Sequence, residues 1–125
     1  MNKKLFACFL LFLLFIQSLC AQPKREVRAV WLTTIGGLDW PHNYSQQRLS
    51  MEKQQQELRN ILDKLQKAGI NTILFQTRIR GTVIYPSDYE PWDGCLSGFP
   101  GTSPGYDPLQ FAIDECHKRG MEFHA

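Results

Sequence analysis

An α/β fold built on a parallel sheet is what this sequence predicts, from three observations. Two helical stripes, one over residues 50–68 and one following Asp107, each lead into an apolar, β-rich segment. The turns joining helix to strand are very short, one at Gly69 and one at Gly120. A further strand-like stretch precedes the first helix, and strand, helix, strand at this spacing is the parallel right-handed crossover unit.

The composition suits such a fold. A chain of 125 residues with a net charge of +2 and 43% hydrophobic residues reads as globular. With so little charge and no basic stripe, no nucleic-acid partner is expected.

Residues 1–21 stand apart as a secretory signal peptide. Lys3 and Lys4 form a basic start, Leu5 to Ile16 an apolar run, and Ser18-Leu19-Cys20-Ala21 a small-residue cleavage site. The apolar run is short for a membrane span of roughly 20 residues. An exported, periplasmic or envelope-associated product follows, with membrane attachment only through the signal peptide or a lipid anchor at Cys20. The anchor is the weaker reading, because Gln17 and Leu19 fit poorly before a lipidated cysteine. Export would allow Cys95 and Cys116 to pair. Against pairing, Cys116 shares a helical face with Leu109, Ala112 and Ile113 and reads as a small core residue.

The domain proper is then 22–125. Glu26 to Thr34 is rich in β-branched and aromatic residues and runs into Gly36-Gly37, which predicts the first strand. From Ser50 to Ala68, Met51, Leu58, Ile61, Leu62 and Leu65 recur at helical spacing, with Ser50 as the cap and Gly69-Ile70 as the stop. Asn71 to Ile79 predicts the second strand. Asp107 and Pro108 open the second helix, whose basic end, Lys118-Arg119, precedes Gly120. Met121 to Ala125 begins a third strand. About three strands and two helices cannot close a barrel, so these elements are expected to be the N-terminal portion of a larger α/β domain.

Candidate site residues come from strand alternation. In the second strand Ile73, Phe75, Thr77 and Ile79 share one side, while Leu74, Gln76, Arg78 and Arg80 share the other. The apolar side suits the helix layer, so Gln76, Arg78 and Arg80 are expected to face inward at the strand's carboxyl end. That end is the mouth in a (β/α)8 barrel, where active sites are built. An inward arginine needs a partner, which is either a neighbouring carboxylate or a substrate. His124 repeats the pattern in the third strand, and Trp31 ends the first. The long loop from Tyr85 to Tyr106 carries Tyr89, Trp92 and Phe99 as well, and either pins itself to the fold or walls a carbohydrate cleft. Its aromatic content argues against disorder. The histidines His42, His117 and His124 lack ligand spacing, so neither metal nor cofactor is expected.

"EVRAVWLTTIGGLDWP", "LQKAGINTILFQTRIRGTVIYPS", "YEPW" and "PGYDPLQFAIDECHKRGMEFHA" resemble, in order and spacing, the start of the glycosyl-hydrolase-like family 10 domain. The resemblance implies an exported bacterial glycoside hydrolase on a (β/α)8 TIM barrel, acting on polysaccharide or on peptidoglycan glycan strands. It implies a catalytic pair of carboxyl groups on later strands. This chain alone is then expected to be inactive and to retain part of a substrate site: Gln76, Arg78, Arg80, Tyr85, Trp31 and His124. Asp39, Asp88, Glu90, Asp93 and Asp107 are assigned to loops. The family pattern has an aspartate after the Arg-Gly pair, where this chain has Thr82, so any role of that carboxylate is in doubt here. A barrel that binds glycan without cutting it, a barrel enzyme clamping an anionic substrate with Arg78 and Arg80, and an inactive truncated product are the alternatives.

Overall fold

The computed structural model describes residues 26–125. The expected signal peptide, its cleavage site and the Cys20 anchor lie outside the described residues. Among those described, no helix is long and apolar enough to cross a membrane.

Three parallel strands form the central sheet: β1 (Ala29–Leu32), β2 (Thr72–Phe75) and β5 (Glu122–His124), in the order β1-β2-β5. The long helix α1 (Arg48–Lys67) joins β1 to β2. A small hairpin, β3 (Arg78–Ile79) with β4 (Thr82–Val83), a short helix α2 (Gly94–Ser97) and the helix α3 (Pro108–Lys118) lie between β2 and β5. The predicted α/β class and its parallel sheet are present. Three strands do not form a closed barrel.

Each helix ends as its sequence foretells. Gly69 takes φ +81°, which a residue with a Cβ adopts only under strain. The Gly69 amide then donates to the Gln66 carbonyl and the Ile70 amide to the Leu65 carbonyl, satisfying carbonyls the helix leaves free. Gly120, at φ +68°, repeats the device, with Gly120 bonded to His117 and Met121 to Cys116. Both turns therefore reverse the chain within two residues and aim it into the next strand. Helix α1 starts slightly earlier than expected. Gln47 is the cap, and Ser50, three residues on, accepts its amide at 2.9 Å. Asp107 caps α3 as predicted, accepting the Gln110 amide at 3.0 Å, with Pro108 in the first turn.

Alternation assigns one sheet face to the helices. Val30, Leu32, Ile73, Phe75 and Phe123 meet Leu58, Leu62, Ala112 and Cys116 in one core, each fully buried large side chain contributing roughly 1.5–3 kcal/mol. Phe75 anchors it, touching the Trp40 ring edge-on at 5.9 Å and Phe123 at 5.5 Å. Cys95 and Cys116 are both buried and both free. Burial raises the thiol of Cys95 far above its ordinary pKa and that of Cys116 to about 11.

The second strand departs from expectation. It ends at Phe75 and does not continue to Ile79. Arg80 and Gly81 take φ +52° and +80°, so they form the two-residue turn of a hairpin in which Arg78 pairs with Val83 and Ile79 with Thr82. The Thr82 side chain lies over this turn, its hydroxyl oxygen 2.5 Å from the Ile79 carbonyl oxygen. Arg78 and Arg80 are therefore not inward residues of a continuous strand. A small separate ribbon carries them beyond the carboxyl end of the sheet, and both are exposed.

Candidate functional site at the carboxyl end of the sheet

Two loops rise from the carboxyl ends of β1 and β2, residues 33–47 and 76–107. Gln76 ties them together. Its Oε1 accepts the Thr34 and Ile35 amides, each at 3.0 Å, and the Thr33 hydroxyl, while its carbonyl accepts the Thr34 hydroxyl at 2.9 Å. This leaves its Nε2 without a protein partner among the described residues. Gln76 is thus first a brace, with one amide group to offer a ligand.

Parallel register brings Trp31, Leu74 and His124 into one row across the sheet, on the face turned away from the helices. Trp31 is 63% exposed, and His124 is exposed with Glu122 3.6 Å from its Nε2. Strand alternation predicts this row, and the structure assembles it.

Arg78 finds its partner within its own loop. Its guanidinium grips Glu90 with Nε at 2.7 Å and Nη2 at 2.5 Å. That hydrogen bond and charge raise the Arg78 pKa and lower that of Glu90, with the nearby Tyr85 a smaller influence on Arg78. Arg80 stands at the turn, where its charge reaches Asp93. Burial alone would raise the Asp93 carboxyl, but hydrogen bonds from Thr82 and Cys95, together with the charge of Arg80, hold it below the usual range. The Asp93 carboxylate accepts the Thr82 hydroxyl at 2.5 Å and the Cys95 amide at 2.8 Å. Thr82 thus reaches the carboxylate of Asp93 with its hydroxyl.

The loop aromatics divide into those held by the fold and those left exposed. Trp92 packs on the core, and Tyr106 donates its hydroxyl to Gln54 Oε1 at 2.6 Å. Gln54 is fully buried on α1, and its Nε2 donates to the Asn43 carbonyl at 2.6 Å and the Leu96 carbonyl at 2.9 Å. Gln54 thus gives the two loops a second tie besides Gln76. Tyr89 and Phe99 remain exposed at 96% and 60%.

Two features escaped the sequence. His42 is oriented by Glu57 of α1, which bonds its Nδ1 and accepts its backbone amide at 3.1 Å. That hydrogen bond is the main cause of a raised imidazole pKa. Nothing local in the sequence could pair residues 15 positions apart across a loop. Asp93 had a readable signal, since an Asp before Gly94 can cap a short helix.

Four of the five loop acids are already engaged in the fold. Asp39 accepts the Thr33 amide at 2.8 Å, Asp107 caps α3, Glu90 is held by Arg78, and Asp93 caps α2. A general acid for glycoside cleavage needs a raised pKa, and those of Glu90 and Asp93 are lowered.

The family model described as Glycosyl hydrolase-like 10 matches residues 26–125. Among curated proteins, "Glycosyl hydrolase YngK" of Bacillus subtilis (strain 168) is 47% identical over 105 residues, 84% of this chain and 20% of that protein. "Glycosyl hydrolase DigH" of Escherichia coli (strain K12) is 45% identical over 108 residues, 83% of this chain and 25% of that protein. The chain spans a fifth to a quarter of the length of these relatives.

Proposed function

Because this chain belongs to the glycosyl hydrolase-like 10 family, we propose that it forms the amino-terminal part of an exported glycoside hydrolase acting on cell-envelope polysaccharide, with peptidoglycan glycan strands as the first substrate to test. The family match over 26–125 is the observation that carries this reading. The geometry adds an amide donor at Gln76, an exposed aromatic face at Trp31 and an imidazole at His124, all toward the carboxyl end of a parallel sheet. In a (β/α)8 barrel this is the end where substrate is held.

In this proposal the segment binds and does not cut. Cleavage needs one carboxyl group to protonate the leaving oxygen and a second to act as nucleophile or base. Every loop acid discussed above except Asp88 already has a structural bond, so the pair is assigned to strands of the longer protein. Trp31 offers a ring on which the apolar C–H face of a sugar can stack. Gln76 and His124 can hydrogen-bond its hydroxyls. Arg78, braced by Glu90, and Arg80 and Tyr85 are assigned to the rim of the mouth as further hydrogen-bonding groups.

The test is release of new reducing ends from peptide-free peptidoglycan strands by the full-length protein. Cleavage is expected, and Trp31→Ala should raise KM by about tenfold with little change in kcat, as loss of binding common to ground and transition states does. Absence of cleavage of these strands and of neutral glucans alike would remove the hydrolase reading.

A further inference from the structure

The seam between the two loops at the carboxyl end is bridged at Ser45, whose amide and hydroxyl donate to the Leu96 and Pro104 carbonyls at 2.7 and 2.6 Å, and it opens into a cleft on either side of that bridge. Its inner part, about 350 Å³, lies between Gly36, Gly37, His42 and Tyr44 on one side and Asp93 and Gly94 on the other. Its outer part, about 640 Å³, lies between Gln46, Gln47 and Arg48 on one side and Phe99, Thr102 and Ser103 on the other. Along both walls the chain passes directly from the inner cleft to the outer one, Tyr44 into Ser45 and Gln46, and Cys95 toward Ser97 and Phe99. The two clefts therefore follow one another, running from the strand ends toward the start of α1.

Two large aromatic rings stand exposed beside this path. Tyr44 is 58% and Phe99 60% accessible, although Trp40 from the same pair of loops is wholly buried. Tyr44 lies against residue 98, where a methyl group on Gly98 would come within 3.2 Å of the ring. This places Tyr44 beside the chain that carries Phe99. The outer lining is largely apolar, with Met51 and Pro104 beside Phe99, and it is edged by the hydroxyls and amides of Gln46, Gln47, Thr102 and Ser103. Its one cation, Arg48, is paired with Glu52 at 3.2 Å. A nucleic acid or a phosphorylated ligand would need free cations. Apolar rings bordered by neutral donors and acceptors instead match a pyranose, which has an apolar C–H face and a rim of hydroxyls.

We propose that this seam is a second glycan-binding furrow, which holds sugar rings of a linear glycan beyond the barrel mouth with Tyr44 and Phe99 as stacking platforms. The inference rests on the glycan reading above and extends it to substrate length. A chain long enough to reach the furrow is held at two places, whereas a disaccharide is held at the mouth alone.

Binding is measured on the full-length protein with the disaccharide of N-acetylglucosamine, its long oligomers, and peptide-free peptidoglycan strands. Phe99→Ala should weaken the binding of long chains by about threefold to tenfold, the range for loss of one stacking contact, and leave disaccharide binding unchanged. Phe99→Trp should retain long-chain binding, which a purely structural role for the ring would not require. If Phe99→Ala and Tyr44→Ala both bind long chains as the wild type does, the furrow is wrong while the glycan function stands. If the wild type binds none of the three probes, the function falls, and the furrow with it.

Discussion

Glu115 is a buried carboxylate that serves the fold and not the site. Only 6% of its side chain is exposed, yet it receives Lys118 at 2.8 Å and Arg119 at 2.7 Å, with Arg59 at 3.6 Å. Burial alone would raise its pKa, and the hydrogen bonds from Lys118 and Arg119 overcome this and bring it to about 2. The unfolded group titrates near 4.3, so as pH falls the unfolded chain takes up the proton first. The stabilisation is complete above that value and disappears as pH approaches about 2. Glu115→Gln should therefore cost about 3 kcal/mol at neutral pH and flatten the acid limb of stability, read by denaturant unfolding at several pH values. An unchanged acid limb would mean that Glu115 is not held as described. Arg78 and Arg80 differ in kind, since both stay in solvent. The strand pattern misread them because two-residue alternation continues smoothly through "TRIRGTV", and only the left-handed pair at residues 80 and 81 reveals the turn.

At the scale of elements, the two helix-to-strand turns set where the sheet begins. Gly69 and Gly120 both lie at positive φ, and a Cβ added at Gly120 would meet no neighbouring atom. The penalty for substitution there is conformational alone. Gly120→Ala is expected to destabilise by about 1 kcal/mol and Gly120→Asn by less, because asparagine tolerates the left-handed region. Equal effects from both would show that the turn relaxes into another conformation. These turns were legible because glycine, a basic helix end and a following apolar residue all lie within a few positions. The hairpin of β3 and β4 was legible in principle, as two short β-rich runs separated by two residues with glycine second. Its signal was outweighed by the apolar strand running into it.

The whole molecule is a three-stranded parallel sheet covered on one face. The other face presents Ala29, Trp31, Thr72, Leu74, Glu122 and His124. Parallel sheets are ordinarily buried on both faces, and the relatives are four to five times longer than the aligned segment. In the full-length protein the amino-terminal part of this face, at Ala29, is therefore expected to be covered, while Trp31 at the carboxyl end stays open to ligand. The check is labelling by a water-soluble thiol reagent, taken as the difference between Ala29→Cys and wild type, in residues 26–125 and in the full-length protein. The difference should be large in the segment and small in the complete chain. Equal labelling in both would mean that no further strand covers this face.

The sequence by itself determined the α/β class, both long helices, their stops and the Asp107 cap, and the facing of the three strands as far as Phe75, because each rests on contacts within a few residues or on a fixed period. Only the tertiary structure decided the rest. Gln54 sits buried in a stripe read as apolar, since its partner Tyr106 lies 52 positions away, and Glu115 adds Arg59 of the other long helix, 56 positions away, to its local partners Lys118 and Arg119. The roles of the aromatics were likewise undecided until folding, when Trp92 and Tyr106 reached the core or α1 while Tyr44 and Phe99 were left in solvent. Local periodicity says which way a side chain points. What it meets there depends on how the loops cross, and loop crossing is settled by contacts between residues far apart in the chain.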